Sequence, residues 1–547
     1  MTSVKNLTTT TLNGMTWTTT ATVVTAVMQI GYTAVMARLL PPAAFGLVAL
    51  AGVVLRFGGY FAQMGMAQAL VQKPELTAED IRSAFTSSAL LGTLFASATI
   101  LAAPLARLVF AQPEVVPLVR VMALDIFVLG LITTAMSLLR RRMEFQTLAK
   151  IDIVSYVLAY GGIGIGLAWR GFGVWSLVWA GLSQSVVMGL LAYAATRHSL
   201  RLYFNWAHYR PLLTYGGRIS LTGFLEFITI SLDTVVIGRV LGPALLGIYN
   251  RAYMLINLPL YLITTSLSKV IFPAFSQLQA NISKLRTVYL ASITLVAAMV
   301  LPLSAGMAVA APELVRALLG PGWDASVPVL RLMSVPVSLS LVTMFAGVIC
   351  DARARFKQKI IVNVTTLLTL GTLFWWLRGY GLLGFAAALL LNECIRMALY
   401  MHLMHEDLNL SYAELLTAYL PGIWHAVAVG GAIGLVRLAV LSLHLPVVVA
   451  LGLSILTGAM VLGTLVLALP LPHLRRELHR LLSRLTLSGM PGQQLARYTR
   501  FLARDPAAGA AVELPNGTQL GLSNSAARLR SSGPQPTIFT NTETETM

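Results

Sequence analysis

Ionisable residues sit inside long apolar runs of this 547-residue sequence, and the candidates for chemistry among them are Arg56, Asp125, Asp152, Arg218, Glu226, Asp233, Arg251, Glu393 and Arg396. A charged side chain at the centre of a bilayer costs roughly 2.5–3.5 kcal/mol on insertion scales, so those that persist face a cavity or an opposite charge. Glu226 and Asp233 are seven residues apart. That is close to two helical turns and places both carboxylates on one helix face. Such a pair can carry a proton or Na⁺, which makes these two the candidate ion-coupling residues. The plainer alternative is a structural ion pair with Arg218 or Arg251.

Arg56 lies in the middle of the run GVVLRFGGYF. A guanidinium there suits an anion with paired oxygens, such as a diphosphate or a uronic acid, because its fork makes two parallel contacts. The alternative is a long stem that snorkels to an interface. Arg251, beside Asn250 and Tyr253, and Arg218 complete the candidate substrate-binding set. Glu393 and Arg396, three residues apart on one helix, can instead pair with each other. The first apolar run also carries Thr16, Thr18, Thr19, Thr20, Thr22, Thr25 and Gln29, and its counterpart in the second half carries Ser220, Thr222, Thr229 and Ser231. Hydroxyls there either line a wet path or hold helices together.

Other chemistries find no footing. The chain has no Walker loop for nucleotide hydrolysis. His402, His405, Glu406 and Asp407 form a small cluster that reads as a solvated helix end rather than a metal site. Two cysteines, Cys350 and Cys394, make no disulfide framework. No cofactor is expected beyond a coupling H⁺ or Na⁺, and no enzyme activity.

The elements that must position these side chains follow from composition. The chain is 56% hydrophobic and only 11% charged, with a mean hydropathy of +0.76, whereas soluble domains carry about 25% charge. Apolar windows of 18 to 25 residues give fourteen transmembrane spans: 15–37, 46–70, 83–106, 118–139, 151–169, 173–196, 217–238, 247–274, 287–311, 327–350, 359–377, 381–404, 415–441 and 446–469. Every second loop is basic, for example Arg140, Arg141 and Arg142, then Arg353, Arg355, Lys357 and Lys359. By the positive-inside rule those loops are cytoplasmic, as are both termini of an even-spanned chain. The net charge of +18 is thus topological and implies no nucleic-acid partner. After the last span, 475–487 alternates Leu with Arg and His as a basic amphipathic helix for the inner leaflet. The segment beyond about 505 has the composition of a disordered tail.

The sequence also repeats itself. RLLPPAAFG at 38–46 matches RVLGPALLG at 239–247, and AAPLARLV at 102–109 matches AAPELVRAL at 310–318 with one insertion. LVRVM at 118–122 matches VLRLM at 329–333, RRRMEFQ at 140–146 matches ARARFKQ at 352–358, and WRGFG at 169–173 matches LRGYG at 377–381. Six spans per repeat is even, so the repeats are parallel and related by an axis along the membrane normal. The expected fold is therefore an all-α polytopic bundle: a six-helix lobe at 1–200, a second at 201–408, a central cavity between them, two further helices at 409–470, and a cytoplasmic tail at 471–547.

These residues resemble the Wzx-type oligosaccharide flippases of the polysaccharide-transport family, in particular its colanic-acid-type branch. That family lies within the multidrug/oligosaccharidyl-lipid/polysaccharide exporter superfamily. The resemblance rests on NGMTW at 13–17, R-x-L-x-x-x-x-F-G at 38–46, RVLGPALLGIYNRAY at 239–253, KVIFPAFSQLQ at 269–279, KLR at 284–286 and GPGWDASVPVLRLM at 320–333, and covers about residues 5–470. It implies a two-lobed bundle in the bacterial inner membrane that moves undecaprenyl-diphosphate-linked oligosaccharide to the periplasmic leaflet. Its partners would be that lipid-linked oligosaccharide, membrane lipids, and the polysaccharide polymerase and export machinery. The family has no single substrate-site motif, so the site residues above rest on the intramembrane-charge argument. The competing functions are a cation-coupled multidrug exporter of the same superfamily and a polytopic polymerase or ligase; short outer loops disfavour the latter.

Overall fold

The computed structural model describes residues 4–63, 70, 76–203, 206–278 and 281–468, and all regular structure there is helical. In chain order the long helices are α1 (Val4–Leu39), α2 (Pro42–Gln63), α3 (Ala78–Ala102), α4 (Val115–Arg141), α5 (Phe145–Trp169) and α6 (Val174–Thr196). The stretch Trp206–Leu278 is broken at Gly242, where φ is 83° and ψ 173°, into α7 (206–241) and α8 (243–278). Then come α9 (Ile282–Val309), α10 (Ser326–Ala352), α11 (Phe356–Leu377), α12 (Gly381–Leu408), α13 (Tyr412–Ser442) and α14 (Val447–Gly463). The expected spans each overlap one of these helices. Among the described residues, twelve stretches are long and apolar enough to cross a membrane, against the fourteen spans expected. The difference falls on 231–264 and 356–408, each of which runs across a backbone break, at Gly242 and at Arg378–Tyr380. The basic helix at 475–487 and the tail after it lie outside the described residues.

Two kinds of packing hold the bundle. Lipid offers apolar side chains no worse a solvent than the protein does, so small residues that let backbones approach carry much of the association. Gly92 on α3 crosses Gly130 on α4 so closely that a Cβ on Gly92 would lie 2.9 Å from the Gly130 Cα. Ion pairs do the rest at the basic end. Asp407, expected at a solvated helix end, is buried and bridges to Arg353 and Arg355 at 2.5 and 2.7 Å. The α10–α11 loop folds back over the end of α12 and covers it, while His402 and Glu406 stay exposed.

The internal repeat is visible in the backbone. Gly173 and Gly381, the last residues of WRGFG and LRGYG, share a conformation open only to glycine, with φ of 55° and 61° and ψ of −132° and −145°. Met143 and Ala354 close α4 and α10 at φ of 59° and 56°, which sets the register of the basic-loop match one residue away from the ungapped alignment of 140–146 on 352–358.

The first repeat match also makes the tightest contact between the halves. A Cβ on Gly46 would lie 1.8 Å from the Pro243 carbonyl oxygen, and a Cβ on Gly247 would lie 1.9 Å from the Pro42 carbonyl oxygen. These are the same two positions of the repeat, exchanged. Such reciprocity is what a two-fold axis between the halves produces. It brings the start of α2 against the start of α8, backbone on backbone, at the end of the bundle opposite the basic loops.

Neither contact has room for a methyl group, and a backbone carbonyl cannot swing aside. Gly46→Ala and Gly247→Ala should each destabilise the protein by about 1–3 kcal/mol, as overpacking does, and by similar amounts because the sites are equivalent. Gly52→Ala, with nothing within 4 Å of its Cβ, is the control. Thermal unfolding in detergent measures all three.

Candidate functional site

Arg251 and Asp233 both lie nine residues from the Gly242 break. At 1.5 Å per residue that is roughly 13 Å into the bundle. Both flank the seam where α1 and α2 of the first half meet α7 and α8 of the second, and their surroundings differ.

Arg251 is a cation without a carboxylate partner among the described residues. Its guanidinium carbon sits 4.5 Å from the Phe45 ring centre. Its Nη1 reaches Thr33 Oγ1 at 3.5 Å and Met254 Sδ at 3.3 Å, both weak acceptors at those distances. Its Nε is buried with no acceptor. Tyr32 and Tyr156 lie within its electrostatic reach as neutral phenols. Tyr156 and Tyr160 stack with ring centres 4.6 Å apart, and Tyr32 meets Tyr160 edge-on at 4.8 Å. The buried Tyr32 hydroxyl has no partner. The tyrosines are one turn apart on α5, where Val157–Gly164 is π-helical. Such a wide turn rotates the following side chains and recurs at functional sites. The result is a wall of phenols from the first half, with α8 setting a guanidinium nearby.

Asp233 is satisfied. Tyr249 donates its hydroxyl to Oδ2 at 2.5 Å, and Thr234 donates its backbone N–H and its hydroxyl to Oδ1 at 2.6 and 3.2 Å. Arg56 on α2 is exposed at the protein surface and interacts electrostatically with Asp233. The structure therefore leaves Arg56 of one half within electrostatic reach of Asp233 of the other, without a direct ion pair between them. The side chains of Arg218 and Glu226 lie outside the described residues, so the two-carboxylate face proposed for α7 rests here on Asp233.

The other intramembrane charges sort themselves. Glu393 and Arg396 pair at 2.8 Å, as their spacing suggests, and Arg396 also donates to the Ser340 carbonyl at 3.3 Å. Asp152 lies within electrostatic reach of Arg140. Asp125 accepts a hydrogen bond from Ser185, and its Oδ1 is buried without a partner. Of the α1 threonines, Thr22 turns its hydroxyl to its own helix, at Thr18 O. The tyrosine wall was missed in the sequence. The available clue was that Tyr32, Tyr156 and Tyr160 fall well inside spans rather than at the interfaces where tyrosine usually sits.

A cavity of about 310 Å³ opens elsewhere, between helices of the second half and the two helices that follow it. Its walls are almost wholly apolar and come from α8, α9, α13 and α14, including Ile263, Met299, Leu303, Val429, Ile433 and Leu451.

Comparison with known proteins agrees with this architecture. A family model described as polysaccharide biosynthesis protein matches residues 35–328, more than half of the chain. The lipopolysaccharide biosynthesis protein WzxC of Escherichia coli K12 is 25% identical over 75% of this chain and 84% of its own length. The succinoglycan biosynthesis transport protein ExoT of Rhizobium meliloti is 30% identical over 55% of this chain and 61% of its own. Among solved structures, the lipid II flippase MurJ in an inward closed conformation shares the fold at a TM-score of 0.63 and 14% identity, covering 81% of this chain and 96% of that one. An inward-facing multidrug resistance transporter of the MATE family does so at 0.55 and 17%, covering 71% and 95%.

The Glu393–Arg396 pair should behave as a structural element. Glu393→Ala leaves a largely buried guanidinium unpaired and should cost about 3–5 kcal/mol, whereas Glu393→Ala/Arg396→Ala together should cost clearly less. A double-mutant cycle of detergent unfolding temperatures reads the difference.

Proposed function

The chain belongs to the polysaccharide biosynthesis protein family, and from that premise we propose that it is a flippase. It moves undecaprenyl-diphosphate-linked oligosaccharide repeat units across the bacterial inner membrane, by alternating access, for exopolysaccharide, capsule or O-antigen synthesis. The observation that carries this reading is Arg251: a half-buried arginine at the seam of the two halves, its Nε buried without an acceptor, held by aromatic and sulfur contacts and unneutralised by any described carboxylate. In a low-dielectric interior such a charge draws an anion from any cargo that reaches it. A lipid-linked diphosphate supplies one.

The rest of the arrangement fits the remaining parts of such a cargo. Phenol rings stack on the C–H faces of sugars and their hydroxyls bond sugar hydroxyls, which is the role given to Tyr32, Tyr156 and Tyr160. A polyprenyl chain is apolar and bulky, and the groove among α8, α9, α13 and α14 offers it an apolar bed. Asp233, with Arg56 within electrostatic reach, is the candidate carrier of a coupling H⁺ or Na⁺, together with Glu226 seven residues earlier in the sequence. Binding a cation there would alter the field that Arg56 feels. No covalent bond of the cargo is made or broken in this scheme, so the protein is a transporter and not an enzyme. Its basic loops and both termini face the cytoplasm, and it hands repeat units to a polysaccharide polymerase and the export machinery. A multidrug exporter of the same fold would serve apolar cations; the unpaired charge at this seam is positive.

In a strain lacking the chromosomal gene, Arg251→Ala should reduce surface polymer by about tenfold or more, with Arg251→Lys keeping part of it, since an ammonium holds the charge without the fork. Arg56→Ala should abolish export at unchanged protein level. Full export by Arg251→Ala would remove the observation on which the reading rests, and full export by Arg56→Ala would remove Arg56 from the site.

A further inference from the structure

The glycine contact between the halves is flanked by a second reciprocal pair. Arg38 Nη2 donates to the Ala317 carbonyl at 2.6 Å, and Arg239 Nη1 donates to the Leu108 carbonyl at 3.2 Å. Arg38 and Arg239 are the same position of the repeat. So are Leu108 and Ala317, once the single insertion in the second copy is allowed for. Each half therefore reaches across with the arginine that ends its first helix and takes hold of a short helix of the other half, Ala311–Leu318 or Leu105–Phe110.

The acceptors suit that task. Carbonyls in the last turn of a helix lack a partner within it and carry the negative end of its dipole. Ala317 has Pro321 four residues on, which has no N–H to offer. Around this pair the closure is dense. Trp323 donates its indole N–H to the Ala37 carbonyl at 2.8 Å and packs edge-on against Phe45 with ring centres 5.5 Å apart. Trp323, Ala37 and Leu40 are buried. Toward this end lie the Arg38–Ala317, Arg239–Leu108 and Trp323–Ala37 bonds and those of Thr33 with Arg251 and Met254, whereas at the basic end Tyr203, just inside the second half, donates its backbone N–H to Thr86 Oγ1 at 2.9 Å and its hydroxyl to Glu79 at 3.5 Å.

We infer that Arg38 and Arg239 form a two-fold latch that closes the bundle at the end opposite the basic loops, and that the two bonds open together when the halves part to release cargo on that side. Symmetry supplies the coupling. Both bonds span the same seam about the same axis, so a rotation that lengthens one lengthens the other, while the Gly46–Pro243 and Gly247–Pro42 contacts lie between them. The structure is then the state closed on that side.

The test reads conformation without any cargo. Ala37→Cys, buried beneath the latch, serves as reporter in a protein carrying Cys394→Ser to remove the exposed native thiol and Cys350→Ala to remove the buried one. Membranes with the latch side outward are treated with a charged, membrane-impermeant maleimide, and membranes of the opposite orientation serve as the comparison. With both arginines present the reporter should react slowly. In Arg38→Ala/Arg239→Ala it should react about tenfold faster or more, the scale of one charge-assisted bond lost. Arg38→Lys/Arg239→Lys should fall between, because an ammonium still donates. Should the double alanine variant fail to fold, Arg38→Gln and Arg239→Gln are measured singly, and each should accelerate labelling. Unchanged labelling in folded variants would overturn the latch. So would acceleration only from the basic side. Neither outcome bears on the cargo, and loss of the flippase reading would leave the latch standing.

Discussion

Everything that this protein can do at its seam depends on one close approach: the first turns of α2 and α8 meeting backbone to backbone at Gly46 and Gly247. Any side chain there would hold the halves apart by more than an ångström. With glycine at both places, the carbonyls of Pro42 and Pro243 occupy the space where Cβ atoms would otherwise be. That contact fixes the relation of α1 and α2 to α7 and α8. It brings Arg251 over the Phe45 ring and Arg56 within electrostatic reach of Asp233. Because the contact is its own mirror under the repeat, one duplicated segment solved the interface for both halves at once.

The electrostatics follow from that geometry. Charges inside the bundle are met by short, local means: Glu393 pairs with Arg396 on the same helix, and Asp233 accepts hydrogen bonds from a tyrosine and a threonine of its own half. Asp407 is held by two arginines at the basic end. Against that background the unneutralised guanidinium of Arg251 stands out. Its neighbours are phenols, a thioether and a benzyl ring, which tolerate a cation but do not discharge it. A protein evolving only for stability would have little reason to keep it. A protein that must hold an anionic headgroup while its sugars and its lipid chain travel separately has a direct one.

The sequence disclosed much of the fold because membrane helices are specified by length and hydropathy, which are local. The expected spans fall on helices, and the repeat was legible because both copies kept the glycines and prolines that their corners require. What stayed hidden was long-range. Nothing in RLLPPAAFG or RVLGPALLG says that each touches the other's proline, or that Arg38 and Arg239 reach across to the opposite short helix. Tyr32 is more than a hundred residues from Tyr156, so their meeting is a tertiary fact. Asp407 looked solvated because the two arginines that bury it come from a loop some fifty residues earlier. Of the candidate charges, Glu393 and Arg396 were read correctly as a pair because the pair is local. Arg56, Asp233 and Arg251 needed the fold to be told apart.

The most direct test of the central claim follows the cargo. In a strain lacking this gene, undecaprenyl-diphosphate-linked repeat units are exposed to a glycan-modifying probe confined to the periplasm, then extracted and scored for modification. If the protein is the flippase, the units accumulate unmodified in the deletion strain and become modified when the gene is restored. Units modified equally in the strain with and without the gene would contradict the account, because the cargo would then cross the membrane by another route.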